Sequence, residues 1–384
     1  MIKVLLLHNI IAPYRLPLFQ ELAKKLDLEV KFCKSGRKDR LWKPSLVNYS
    51  FKYEVLKSIS IGPFVINYTL PFKLLLNRYQ VYIVALTLRD IFSVLTVLFT
   101  AKLLGRPFVV WSGFIESSYA KYIIDPKYKD NKLGRIMDIF FGMLIRFICR
   151  NSDCFIAYGN KAKEFLIRHG APQDKIFIGT QVISGDTTTR VTCSKSETEF
   201  KDKKIILYLG YFNKRKGINY LINAFKRIQH EDAILILAGA GEEEENLKLL
   251  AKGEENIYFT GYVEGKDKHK YYSIADIFVL PSLHDPWAFV INEAMHFGLP
   301  IITTKEVGSS ELINGNGFVV KAGDEEELKS AIEELLSDDE LRRKMGAKSK
   351  EIIKKYNLNY AVNAFLNAVN YAMGEGKTKR VTRK

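Results

Sequence analysis

An α/β fold built from two doubly wound domains follows from three features of this 384-residue sequence. Short β-branched and aliphatic runs alternate with longer helical patterns from end to end, the signature of βα units and parallel sheets. A polar stretch without periodicity, Cys193 to Lys204, interrupts that alternation near the middle of the chain. The length exceeds what one hydrophobic core usually organises, so the sequence predicts two domains facing across a deep cleft.

In the first half, strands are predicted at Lys3–Leu7, Leu28–Cys33, Val81–Ala85, Phe108–Trp111, Cys154–Ala157 and Lys175–Ile178. Helices are predicted at Pro17–Lys25, Asp90–Leu104, Leu133–Arg150 and Lys161–His169. The alternation then restarts with a strand at Ile205–Leu209 and a helix from Ile218. Further strands follow at Ile234–Leu237, Ile257–Phe259, Ile277–Leu280 and Ile301–Thr303. The expected domains are 1–190, a linker 191–203, and 204–358, then a helix 359–373 crossing back to the first domain and a basic tail 374–384. In open sheets of this kind ligands bind beyond the carboxyl ends of the strands, so function is expected in the loops that follow strands.

Hydrophobic residues make up 47% of the chain and charged residues 26%, which excludes a mainly disordered or collagen-like protein. The formal charge of +15 is confined to one half: residues 1–190 hold 29 Lys and Arg against 14 Asp and Glu, and the second half is neutral. A basic face of that kind suits an anionic membrane surface, or else serves solubility. The amphipathic pattern of Leu133–Arg150, with Arg135, Arg146 and Arg150 along it, fits either a buried helix or one lying on acidic lipid. Lys121, Lys127, Lys129 and Lys132, interleaved with Tyr119, Tyr122 and Tyr128, are a second membrane or acceptor candidate.

Cys33, Cys149, Cys154 and Cys193 show no metal-ligand or disulfide spacing, and the six histidines are scattered. No signal-peptide core follows Met1, and the longest apolar run falls short of a bilayer span. A cytoplasmic protein, peripheral on the inner face of the membrane, is the expectation.

The chemistry concentrates between Ala275 and Pro300. A buried strand runs into a short loop, and a helix is predicted to begin near Trp287. Backbone N–H groups of Trp287, Ala288 and Phe289 would point out of that helix start and, with the helix dipole, favour a phosphate. Asp285 precedes the helix and Glu293 lies two turns inside it, so the two carboxylates could take sugar and ribose hydroxyls on either side of the phosphate.

This strand-loop-helix with an acid, seven residues and Glu resembles the GT-B retaining glycosyltransferases of glycosyltransferase family four. The resemblance implies that Asp285 contacts the donor sugar and Glu293 the ribose. A second match, Tyr208 to Phe225, is similar to the family's strand, Gly, basic loop, Lys-Gly and helix. Gly210 would turn the backbone tightly after the strand. Lys216, with Arg215 or Lys214 beside it, would carry positive charge to the donor diphosphate. The opening Pro13-Tyr14-Arg15 is similar to one branch of the family and puts Arg15 at the donor phosphate or the acceptor. Val263, in Gly261-Tyr262-Val263, stands where the family's backbone meets the nucleobase. Three positions depart from the usual pattern: Asp285 replaces Glu, Ala288 replaces Gly, and Tyr211 replaces Arg.

The function implied is transfer of a sugar, a hexose by expectation, from a nucleotide-sugar donor to a sugar or lipid-linked acceptor with retention. No divalent metal or other cofactor is required. Where the family often has a histidine this chain reads Trp111 to Glu116, and Glu116 is the candidate to orient the acceptor or accept its proton. His8 and His284 are expected to hydrogen-bond rather than attack. Three rivals stay open: a nucleotide-sugar epimerase of similar architecture, a non-catalytic nucleotide-binding relative, and a nucleic-acid binder, for which charge alone speaks.

Overall fold

The computed structural model describes residues 1–36, 49–115, 132–179, 181–182 and 193–374. Two compact units divide the chain, Met1–Thr180 with Leu358–Lys384, and Gln181–Asn357.

In the first unit the apolar runs become β1 (Lys3–Ile10), β2 (Asp27–Lys34), β6 (Val81–Ala85), β7 (Phe108–Ser112), β8 (Cys154–Ala157) and β9 (Ile176–Ile178). With β3 (Lys52–Val55) they form one sheet in the order β3-β2-β1-β6-β7-β8-β9, every pair parallel. A hairpin of β4 (Ile59–Ile61) and β5 (Phe64–Ile66) stands apart. The central strands are buried on both faces, as Val81–Ala85 and Phe108–Ser112 show. Helices α1 (Leu16–Ala23), α2 (Leu70–Leu76), α3 (Ile91–Leu103), α4 (Lys132–Arg150) and α5 (Asn160–Arg168) flank them.

The second unit has β10 (Lys204–Leu209), β11 (Ala233–Ala238), β12 (Ile257–Gly261), β13 (Ile277–Leu280), β14 (Ile301–Thr304) and β15 (Gly317–Val320). They form a parallel sheet ordered β12-β11-β10-β13-β14-β15. Its helices are α6 (Ile218–Phe225), α7 (Glu244–Leu250), α8 (Gly265–Ile274), α9 (Phe289–Phe297), α10 (Glu325–Ser337) and α11 (Asp339–Ile353). Helix α12 (Leu358–Ala372) returns to the first unit. It packs on β7, β8 and β9, with Phe365 in edge contact with Trp111 at 5.0 Å.

In each sheet the chain builds out one way from its first strand and then returns to that strand's other side: β1 pairs with β2 and β6, β10 with β11 and β13. Chain direction away from the centre reverses there, so the loops beyond β1/β6 and β10/β13 splay apart and leave a crevice at the carboxyl ends. The sequence did not predict β3, the β4–β5 hairpin, α2 or β15. These are short elements of three to seven residues whose periodicity is too brief to read. Lys175 belongs to a 3-10 turn before β9 rather than to the strand.

Candidate functional site

The reversal point of the second sheet gathers most of the residues singled out in the sequence. Gly210 follows β10, and its N–H donates to Ala238 O at 3.0 Å, holding the loop against the end of β11. The close approach needs glycine at the next position of the facing segment, where a Cβ on Gly239 would meet Gly210 O at 1.9 Å. Lys214–Lys216 then makes a 3-10 turn and Gly217, at φ +65, closes it into α6. A Cβ on Gly217 would lie 2.3 Å from Pro281 O, so the turn is pressed onto the loop after β13.

The two loops are stitched together. Leu283 N–H donates to Arg215 O at 2.8 Å, and Arg215 Nη1 donates to His284 O at 2.7 Å. Lys216 Nζ donates to Asp285 Oδ2 at 2.6 Å, with Arg215 Nη1 at 3.6 Å from the same oxygen. Lys216 and Asp285 are each 7% exposed. Burial alone would push the Asp285 carboxyl up. The positive charges of Lys216 and Arg215, with the Lys216 hydrogen bond, outweigh it and hold the pKa at about 2.

Asp285 is also fixed through its backbone, bridging to Val307, with Gly308 N–H donating to its carbonyl at 2.8 Å. Its other carboxylate oxygen accepts Trp287 N–H at 3.2 Å. This changes the expected helix start. Helix α9 begins at Phe289 after Ala288 in extended backbone, two residues later than predicted, because Asp285 caps the loop through Trp287. The first helical N–H groups thus belong to Phe289 and Val290, and Ile291 N–H already closes on Ala288 O. Phe289 is half-buried, whereas Trp287 packs inward, its Nε1 donating to Asn292 Oδ1 at 3.1 Å. Asp285 turns in toward Lys216, each of its oxygens accepting one of these hydrogen bonds.

Glu293 sits on α9 and is 15% exposed at its side chain. It accepts Lys268 Nζ at 2.5 Å and Tyr272 OH at 2.9 Å, both from α8. Burial, then the Glu293 carboxylate, push the Tyr272 phenol well above its ordinary value, so it stays a donor. Lys268 and Tyr272 were not anticipated, although their spacing of four puts them on one helix face. Val263, half-buried, follows Gly261 at the end of β12. Two fully buried hydroxyls, Ser282 Oγ and Ser309 Oγ, have no hydrogen-bond partner among the described residues. Ser282 follows β13 and Ser309 lies in the 3-10 turn Gly308–Leu312, the two segments that hold Asp285.

The first unit has its own cluster. Arg15 ends the 3-10 turn Pro13–Arg15 after β1 and is 6% exposed. Its guanidinium lies 4.4 Å from the Trp111 ring centre and 4.9 Å from that of Tyr158, and donates to Tyr158 OH at 2.5 Å. The two rings lie 5.7 Å apart and tilted by 58°, so the cation sits against both on one side of the pair. His8 lies beside it, its Nδ1 donating to Ile10 O at 2.9 Å. Burial and then the charge of Arg15, opposed by that bond, bring the His8 pKa down to about 3, so the imidazole is neutral. Tyr158 was not anticipated, although it directly follows β8, where the rule of strand ends applies. Glu116, Lys121, Lys127, Lys129 with their tyrosines, residues 191–192 of the expected linker and the tail from 375 lie outside the described residues.

Residues 191–352 match the family model of Glycosyl transferases group 1. An uncharacterised glycosyltransferase of Methanocaldococcus jannaschii is 30% identical over 179 residues, 45% of this chain and 46% of that protein. The lipopolysaccharide core biosynthesis glycosyltransferase LpsE of Rhizobium meliloti is 29% identical over 227 residues, 56% of this chain and 64% of LpsE. The chain thus spans about half to under two thirds of the length of these relatives. HepE of Anabaena, solved with UDP, superposes with a TM-score of 0.75 over 96% of this chain and 100% of HepE, at 16% identity. HepE has also been solved with UDP-glucose. The strand order, the reversal points and this superposition make the chain a GT-B protein of two Rossmann-like units, whose residues 191–352 match a glycosyl transferases group 1 domain.

Proposed function

We propose that this chain is a retaining glycosyltransferase that moves a hexose from a nucleotide-sugar donor to a sugar or lipid-linked acceptor in glycan, glycolipid or surface polysaccharide assembly. The observation that carries the reading is the pair of cations Arg215 and Lys216, held on the loop after β10 against the loop after β13. That is where positive charge would meet the diphosphate as it departs, the term expected to dominate such catalysis. With those cations in place the reading needs no divalent metal.

In this reading Lys216 and Arg215 stabilise the leaving diphosphate, and Asp285 positions Lys216. Glu293 accepts the ribose hydroxyls: a carboxylate has about four lone-pair sites, and Lys268 and Tyr272 take two of them. Gly210 and Val263 give backbone room for the nucleotide, and Arg15 faces the acceptor or the donor phosphate. LpsE, by its name a lipopolysaccharide core enzyme, supports the surface-polysaccharide assignment. HepE's complexes make UDP-glucose the first donor to test and UDP the first nucleotide.

The test is a metal-free thermal-shift screen of UDP, GDP, ADP and their sugars, on wild type and Glu293→Ala, followed by product analysis. One nucleotide should raise the wild-type Tm by several degrees, roughly what saturation gives a site of micromolar affinity, and the variant should lose the shift. Turnover of the donor without acceptor into an isomeric nucleotide-sugar would favour the epimerase reading instead. Binding without turnover, with Tyr211 in place of the usual Arg, would favour a non-catalytic relative.

A further inference from the structure

The first unit carries an apolar face that its core does not use. On α4, Ile136, Ile139, Phe140, Met143 and Phe147 recur at helical spacing and are 43% to 64% exposed. The opposite side of the same helix supplies Phe141, Ile145 and Ile148 to the core. Helix α3 repeats the pattern with Phe92, Phe99 and Leu103, 47% to 78% exposed. The two stripes are continuous, for the Phe99 and Phe147 ring centres lie 6.2 Å apart, and Phe64 bridges Phe92 and Phe141. Helix α2, packed on α3, adds Phe72, Leu75 and Leu76 at 61% to 82% exposure. An apolar patch built by three helices is far larger than scattered surface residues, and it marks a contact surface.

The charge around it chooses the occupant. Arg135, Arg146 and Arg150 are exposed on α4, which holds a single acid, Asp138. Lys102 and Arg106, at the end of α3 and beyond it, are exposed too, Lys102 within 3.2 Å of Asp153. An isologous contact with a second copy would set these arginine rows against each other. An anionic bilayer would meet the stripe with acyl chains and the arginines with phosphates.

We propose that the α2–α3–α4 face docks on an anionic lipid bilayer, with α4 in the interfacial plane. No described helix is long and apolar enough to cross a membrane, so the contact is one of lying on the surface. The proposal stands apart from the transferase reading, because lipid binding is measured without donor or acceptor.

The experiment is co-sedimentation of the full chain with phosphatidylcholine vesicles, with and without about 30 mol % phosphatidylglycerol. Two double variants accompany it, Phe140→Ser with Met143→Ser and Arg146→Gln with Arg150→Gln. Wild type should pellet with the anionic vesicles. The apolar variant should partition about ten-fold less at unchanged Tm and unchanged nucleotide response. The arginine variant should lose the preference for phosphatidylglycerol, as wild type should in about 0.5 M NaCl. Wild type that ignores anionic vesicles, or an apolar variant that binds them like wild type, overturns the proposal. So does a wild-type dimer by light scattering that the apolar variant turns into a monomer while vesicles recruit neither.

Discussion

Lys216 Nζ and Asp285 Oδ2 lie 2.6 Å apart although 69 residues separate them in the chain. The pair joins the loops at the reversal point of the second sheet, and each partner is needed for the other. Replacing one leaves a buried charge, which costs about 3 kcal/mol or more, while replacing both with apolar groups of similar size is close to neutral. Lys216→Met should therefore lower stability in urea unfolding, and Lys216→Met with Asp285→Leu should recover most of it. Sugar transfer should fall by roughly a hundred-fold or more in both, because the cation on the leaving phosphate is gone. A double variant that regains activity along with stability would remove Lys216 from the chemistry.

The same pair has an acid signature. The folded Asp285 pKa of about 2 lies below the ordinary 3.8, so its stabilisation is complete above about pH 4 and lost as pH falls toward 2. The difference corresponds to about 2 kcal/mol. Asp285→Asn should be less stable than wild type at neutral pH, and the gap should narrow between pH 4 and 2, read from urea midpoints.

His8 acts in a different window. Its pKa is lowered from 6.5 to about 3, so the unfolded chain takes up a proton that the folded chain refuses between those values. Stability should fall on acidification across that window by about 1.4 kcal/mol per pH unit from this group. His8→Gln, which can still donate to Ile10 O, should flatten the profile. An unchanged slope would show that His8 is not shielded as described.

Arg15 should not tolerate lysine. A lysine keeps the charge but loses the flat guanidinium's contacts with the Trp111 and Tyr158 rings, a difference of about 1–2 kcal/mol. Arg15→Lys should lower the Tm and blue- or red-shift Trp111 fluorescence, with Arg15→Met behaving worse.

Gly217→Ala should destabilise by about 1–3 kcal/mol and weaken nucleotide binding together. The added methyl meets Pro281 O at 2.3 Å in a backbone conformation at φ +65, so relief requires the Lys216 turn to move off the β13 loop. Differential scanning with and without nucleotide reads both effects.

Much of the fold was legible because long apolar runs have few alternatives. Val81–Ala85 and Ile277–Leu280 fall at their predicted bounds, since strands buried on both faces leave no doubt about period. The start of α9 was misplaced by two residues, because helix propensity says nothing of Asp285 reaching forward to Trp287 N–H. Lys216, Asp285 and Glu293 stood out by residue type and spacing, yet their partners did not. Lys268, Tyr272 and Tyr158 look like ordinary surface or core residues until packing brings them to Glu293 and Arg15. For α4 the sequence left two readings, a buried helix or one lying on acidic lipid; the structure buries one side of it and exposes apolar residues on the other.

The sequence by itself determined that this chain folds as two parallel α/β units, because alternation and burial are written in local order. Only the tertiary structure decided that Asp285 turns in on Lys216, that Arg15 lies against the Trp111 and Tyr158 rings, and that the apolar stripes of α3 and α4 join. Those outcomes depend on which strands become neighbours, and a contact across 69 residues has no trace in the periodicity of either segment.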